Sequence, residues 1–255
     1  MNQGYPPSSD YPPAPAQPRQ VLVQPPQGQP VVTYTLLVIV ILVFLLQMAT
    51  PYLFGQDLPA AWGMKENNLI IQGQFWRLIT PVFLHGSILH IAFNMYALMI
   101  FGPGLERFYG RGRYLALFFI SGFAGNVMSF LFSTAPSLGS STAIFGLLAA
   151  EGVFLYKNRA IFGAGAQRAL INLIVVAIVN LVIGMSPGID NWGHIGGLIG
   201  GALFAWFAGP VMRVTGFAPN YALEDQRGAN DAWRAGIAVT ALFVLLAAAG
   251  IYLKV

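Results

Sequence analysis

Cysteine is absent from all 255 residues, and charge is scarce, with only 9% of the chain Asp, Glu, Lys or Arg. The first absence removes disulfides, thiolate metal sites and a thiol nucleophile together. The second excludes an ordinary soluble domain, in which roughly a quarter of the residues are charged. A net charge of +4 raises nucleic acid as a partner. A basic patch, however, clusters on one solvated face, and here Lys and Arg sit in short groups between apolar runs, so nucleic acid is set aside. What is abundant is hydrophobicity, 56% of the chain, which marks a polytopic membrane protein.

Residues 1–30 hold nine of the seventeen prolines and only Asp10 and Arg19 as charges. Such a composition cannot bury enough apolar surface to fold, and it predicts a disordered cytoplasmic tail. The stretch lacks the basic start, apolar core and cleavage site of a signal peptide. A solvated extension is the simpler reading, with a proline-recognition ligand as the alternative.

From Val31 the chain reads as apolar runs long enough to cross about 30 Å of hydrocarbon as helices of about 20 residues. Seven are predicted, at 32–50, 85–102, 113–132, 141–157, 169–186, 191–209 and 233–253. The stretch from Pro51 to Pro81 is the one long connection, and its Trp62, Phe75 and Trp76 suit a segment lying at the membrane interface. If the N-terminus is cytoplasmic, ten Lys and Arg fall on the inner side and three (Lys65, Arg77 and Lys254) on the outer. That asymmetry predicts a cytoplasmic tail and an outward C-terminus.

Polar residues inside the spans, independent of the charge asymmetry, agree on one depth. His90 lies sixteen residues above Glu106, Ser141 sixteen above Lys157 and His194 nineteen above Arg213. At 1.5 Å per residue these are heights of about 24 to 28 Å above the inner boundary. Asn94 falls one turn deeper than His90 on the same helical face. Polar groups are expensive in hydrocarbon, so such a convergence marks a functional site near the outer surface.

The chemistry asks for this set. A serine hydroxyl is a weak nucleophile that needs a base, and neutral histidine is the usual one, so Ser141 and His194 are read as a dyad. A tetrahedral intermediate needs donors for its oxyanion. Asn94 and His90 are the candidates, with the amides near Ser141, where the positive end of a helix dipole also favours an anion. Asp190 is placed either to cap the helix that carries His194 or to orient that histidine. Gly193, Gly197 and Gly201 form a small-residue face that lets another backbone approach closely, which would hold His194 within reach of Ser141. No metal or cofactor is called for.

These residues resemble the rhomboid family of intramembrane serine proteases, from about Val31 to Pro210. The resemblance rests on Trp76-Arg77, the run His85-Gly86-Ser87-Ile88-Leu89-His90-Ile91-Ala92-Phe93-Asn94, Gly102-Pro103-Gly104-Leu105-Glu106, the Gly-x-Ser segment at 139–141, and Gly193-His194 with its following glycines. It implies an all-α membrane protein with a six-helix transmembrane core over 31–210, a cytoplasmic linker over 211–232, and a seventh transmembrane helix over 233–255. It implies Ser141 as nucleophile, His194 as general base, and His90, Asn94 and the Ser141 amide as oxyanion hole. Phe145, one turn beyond Ser141, is placed to pack on the His194 ring, and an aromatic there fits the family. The implied substrates are transmembrane segments of membrane proteins, entering between the second and fifth spans, and the implied setting is the bilayer of a bacterial plasma membrane. One departure stands out. The family usually carries Gly after the nucleophile, where this chain has Thr142, whose bulk is expected to crowd the start of that helix.

Two other readings use the same residues. A catalytically weak or inactive rhomboid-like protein would bind membrane-protein clients without cutting them, and Thr142 is the one feature in its favour. A small transporter would line a solute path with polar groups at helix ends, but no inverted repeat is visible. His85 is read as holding the outer loop, Trp76 and Arg77 as anchoring it, Glu106 with Arg107 as closing the inner end of the second span, and Glu151 as a structural group inside the bundle. The orientation has a direct check. A cysteine placed at Gly188 in this cysteine-free chain should react with an impermeant thiol reagent from outside, and one at Ala229 only after the membrane is opened. The reverse pattern would invert the topology.

Overall fold

The structure, a computed structural model, describes residues 23–24, 26, 28–217 and 220–254. The tail predicted over residues 1–30 therefore falls mostly outside the described residues. At its end Val23–Gln24 forms a short strand, β1.

The chain is mainly helical. After β1 come α1 (Val31–Phe54), two short helices α2 (Leu58–Gly63) and α3 (Asn67–Ile71), and two 3-10 turns (Phe75–Leu78 and Thr80–Phe83). Then follow α4 (Ile88–Tyr109), α5 (Arg111–Phe132), α6 (Ser141–Lys157), α7 (Arg159–Ile183) and α8 (Asn191–Ala208), strands β2 (Met212–Phe217) and β3 (Asn220–Asp225), and α9 (Ala229–Lys254). Each apolar run matches one long helix. Among the described residues, α1, α4, α5, α7 and α9 are long and apolar enough to cross a membrane. The other two, α6 and α8, have 17 and 18 residues, and α8 carries five glycines. These two are surrounded by other helices, so their composition answers to protein neighbours more than to lipid.

Two boundaries differ from the pattern-based reading. The helix α4 continues through Gly102-Pro103-Gly104 to Tyr109. There a Cβ on Gly102 would meet Thr33 Cγ2 and Tyr114 Oη, both at 2.6 Å, so tight packing on α1 and α5 holds the helix across its proline. The helix α7 begins at Arg159, ten residues before the predicted span, and is broken at Gly163, where φ is 58°. The connection predicted over 211–232 contributes two strands to a small three-stranded sheet, which β1 completes. In it β2 pairs antiparallel with β3, and β1 pairs parallel with β3. Asn158 ties this sheet to the bundle, accepting from Met212 N at 2.7 Å and donating to Pro210 O at 3.1 Å.

The main core lies between α4, α5, α6 and α8, around Leu98, Tyr114, Phe118, Leu147, Phe154 and Phe204. A second cluster joins the first loop to α5 and α9 through Ile70, Phe130, Val239 and Phe243. Glu106 has a role that its own helix does not disclose. The first turn of α1 has no side-chain cap of its own. Glu106, 3% exposed, reaches across from α4 and accepts from Val32 N, Thr33 N and Thr33 Oγ1, each at 2.8 Å. It thus caps α1 from a distance, with its negative charge at the positive end of the helix dipole.

Helices α6 and α8 meet almost backbone to backbone. A Cβ on Gly197 would overlap the Thr142 carbonyl, and one on Gly201 would overlap Gly146. The Thr142 side chain packs onto neighbouring helices. It lies against two positions without a Cβ: a Cβ on Gly125 of α5 would sit 2.6 Å from Thr142 Cβ, and one on Gly193 of α8 3.0 Å from Thr142 Cγ2. The bulk that the family pattern lacks is absorbed by glycines on two neighbours.

Two substitutions check this packing. Glu106→Ala leaves the α1 donors without their acceptor in a buried place and should cost about 1–3 kcal/mol, read as a lower midpoint of thermal unfolding in detergent. Thr142→Gly should lower that midpoint by about 1–2 kcal/mol equivalent through the void and the glycine propensity. An unchanged midpoint for Thr142→Gly would show that its side chain fills no space that matters.

Candidate active site

Ser141 is the first residue of α6, and the turn before it depends on one glycine. Gly139 has φ 139°, a conformation that L side chains rarely adopt. A Cβ there would also lie 2.8 Å from the His90 ring and 3.5 Å from Ser141 Oγ. Gly139 N donates to Pro81 O at 2.9 Å, so the first loop holds this turn. Ser140, fully buried, places its Oγ 3.1 Å from His85 Nε2. Ser141 is left half-buried, at the free N–H end of its helix, where the first amides have no intrahelical acceptor.

His194 comes from the first turn of α8. Asp190 caps that helix, its Oδ1 accepting from Gly193 N at 3.0 Å. The His194 ring stacks on Phe145 with centroids 4.2 Å apart and planes 12° from parallel. His194 Nε2 then lies 3.0 Å from Ser141 Oγ. This is a hydrogen-bonded serine–histidine pair formed by residues 53 apart in the chain. Among the described residues His194 Nδ1 and Asp190 Oδ2 are both buried without a hydrogen-bond partner, so Asp190 acts as a cap and makes no bond to the imidazole.

The third side of the site is α4. Ser87 caps this helix by accepting from His90 N at 3.1 Å. His90 Nδ1 accepts from Gly86 N at 3.4 Å, which leaves the ring proton of the neutral form on Nε2. That nitrogen lies against Gly139, 2.8 Å from where a Cβ on that glycine would sit. Asn94, 6% exposed, donates from Nδ2 to His90 O at 2.9 Å and keeps a second N–H for another acceptor. The geometry therefore brings Ser141, His194, His90 and Phe145 together, with Asn94 one turn deeper and Gly193 and Gly197 behind His194.

Trp76 and Arg77 lie elsewhere. Arg77, 3% exposed, donates to Ala61 O at 2.7 Å, Met64 O at 2.8 Å and Gln74 Oε1 at 2.8 Å, which stitches the first loop to itself. Trp76 stacks on Trp62 at 5.5 Å and donates to its carbonyl. Glu151 is half-buried on α6, and nothing in the structure explains it. Two contributors were not evident from the sequence. Ser140 pairs with His85, and Gln47 Oε1 accepts from His85 N at 2.9 Å. His85 also meets His90 edge to face at 5.0 Å. Only the nearness of His85 to His90 in the chain hinted at this second serine–histidine contact.

Comparison with known proteins agrees with this architecture. A rhomboid-domain family model matches residues 72–211, a segment that holds Ser141, His194, His90, Asn94 and Phe145. The chain is 44% identical over 175 residues to the rhomboid protease GluP of Bacillus subtilis, covering 68% of this chain and 34% of that protein. It is 34% identical over 159 residues to RHOMBOID-like protein 9, chloroplastic, of Arabidopsis thaliana, covering 62% and 37% respectively. With RHOMBOID-like protein 5 of the same plant it shares 34% identity over 206 residues, 76% of this chain and 66% of that one. The chain thus spans about a third of the length of the first two relatives. With the family model matching more than half of its residues and five helices apolar enough to cross a bilayer, the chain is an integral multi-pass membrane protein that belongs to the rhomboid family.

Proposed function

We propose that the chain is an intramembrane serine endopeptidase that hydrolyses peptide bonds in or near transmembrane segments. The single observation that carries this reading is the 3.0 Å contact between His194 Nε2 and Ser141 Oγ, with the imidazole held flat against Phe145. In the proposed reaction His194 Nε2 takes the Ser141 proton as Oγ attacks the carbonyl carbon. The His90 Nε2–H, the free Asn94 Nδ2–H and the Ser141 N–H stabilise the oxyanion. His194 then returns the proton to the leaving amine, and water repeats the sequence on the acyl-serine to release the acid.

The site lies at the start of α6 and α8, which under the positive-inside orientation is near the outer face of a bacterial plasma membrane. Water reaches it from that face. The loop at 184–190 lies at the same end of the bundle, with Met185 to Ile189 exposed. The substrate segment arrives from the bilayer between α4 and α7. Only Ala166 and Leu173 of α7 are buried, so this helix is held loosely enough to move aside. Transmembrane proteins and the bilayer are then its partners. The competing reading, a rhomboid-like protein that binds clients without cutting them, is disfavoured by the intact dyad and by the accommodated Thr142.

The test is chemical. A serine-reactive fluorophosphonate probe should label the wild-type protein at Ser141 and leave Ser141→Ala unlabelled. Ser141→Ala and His194→Ala should each abolish cleavage of a model transmembrane substrate in vesicles, while Asn94→Ala should slow turnover about 10-fold to 1,000-fold. Substantial cleavage by a folded Ser141→Ala protein would end the serine-protease reading, and a folded wild type that neither labels nor cleaves would favour the client-binding one.

A further inference from the structure

The end of the bundle opposite Ser141 carries a second feature that proteolysis does not use. An apolar groove of about 310 Å³ opens between α6, α7 and α8. Leu148, Gly152, Leu173 and Ala177 line it, and Tyr156 and Trp206 form its inner end. From Leu148 to Tyr156 it follows eight residues of helix, about 12 Å. Both aromatic residues are about half exposed, at 46% and 45%.

Three cations converge on those two aromatic residues. Lys157 Nζ lies 4.5 Å from the Trp206 ring centroid and donates to the Trp206 carbonyl. Arg227 donates to the same carbonyl at 2.9 Å and to Gly209 O at 3.0 Å. Arg159 stands over the Tyr156 ring at 4.5 Å. Among the described residues the only salt bridge joins Arg113 and Asp225, so none of the three has a carboxylate within ion-pair distance. The nearby Asp225 accepts from the Arg227 backbone N–H at 3.0 Å but is ion-paired with Arg113. The three side-chain charges therefore have no ion pair of their own and repel one another, and two of them share one oxygen. Cation–π contacts relieve this only in part.

We propose that this is a binding site for an anionic phospholipid, with one acyl chain in the groove and the phosphate among Lys157, Arg159 and Arg227. The groove makes the ligand a lipid rather than free phosphate, and the three cations without ion pairs make it an anionic one. Basic pockets between membrane helices on the positive side recognise headgroups by this complementarity. Because the wall is built partly from α7, an occupied groove would also hold that helix against α6 and α8. The proposal needs the chain only to sit in a bilayer and does not depend on proteolysis.

The full chain, as wild type and on the Ser141→Ala background, would be taken from vesicles of equal parts phosphatidylcholine and phosphatidylglycerol into detergent. Retained lipid is then identified by native mass spectrometry. Both proteins should keep one phosphatidylglycerol in preference to phosphatidylcholine. Lys157→Gln/Arg159→Gln/Arg227→Gln should reduce that retention about 10-fold to 100-fold. Because Arg227 also touches the segment around the small sheet, Lys157→Gln/Arg159→Gln serves as a second variant with a smaller loss. Ala177→Trp, which fills the groove and leaves the cations in place, should lose the lipid as well. Equal retention of the two lipids by the wild type, or undiminished phosphatidylglycerol on either folded charge variant, would overturn the site.

Discussion

The distance between the backbones of α6 and α8 governs the rest of the molecule. In lipid there is little hydrophobic force to press two helices together, so close association depends on packing and on backbones that can touch. Gly197 and Gly201 have no Cβ where the Thr142 carbonyl and Gly146 pass. That contact brings two residues 53 apart within 3.0 Å. A methyl group at either glycine would separate the helices by more than a hydrogen bond tolerates. Phe145 and the Asp190 cap then set the direction of the imidazole.

A second constraint is that polar atoms away from water must find partners inside the protein. The structure meets it largely by sending long side chains to distant carbonyls and amides. Glu106 caps a helix that is not its own. Arg77 draws the first loop together, and buried Lys65 donates to Ser133 O and Ala135 O, which joins that loop to the segment before Ser141. Lys65 lies outside the long helices, and burial pushes its ammonium down to about 8. The loop around the site is therefore part of the fold, and through Pro81 and His85 it positions the turn at Gly139 and Ser140. Among the described residues the exceptions include His194 Nδ1 and Asp190 Oδ2 at the site itself, and Thr142 Oγ1, Ser121 Oγ and Tyr114 Oη within the bundle.

Much of this was legible in the sequence because hydrocarbon imposes simple rules. Seven apolar runs gave seven long helices with ends shifted by a few residues, except where α7 starts ten residues early across the break at Gly163 and where α4 passes through Pro103. Counting residues inward put Ser141, His194 and His90 at one depth, and the structure brings those three side chains together. Where the Thr142 side chain packs was not legible in the sequence. That packing depends on Gly125, in another helix and with no periodic relation to it.

By itself the sequence determined that the chain spans a membrane, which residues are too polar for hydrocarbon to be there without a use, and which helix faces are small enough to meet. These follow from composition, period and the 1.5 Å rise, all local properties of the chain. Only the tertiary structure decided that Glu106 serves α1, that Asp190 caps rather than orients His194, that His85 holds Ser140, and that Lys157, Arg159 and Arg227 share one end of a groove. Each of these joins side chains whose partners are chosen by three-dimensional packing, and no spacing along the chain encodes that choice.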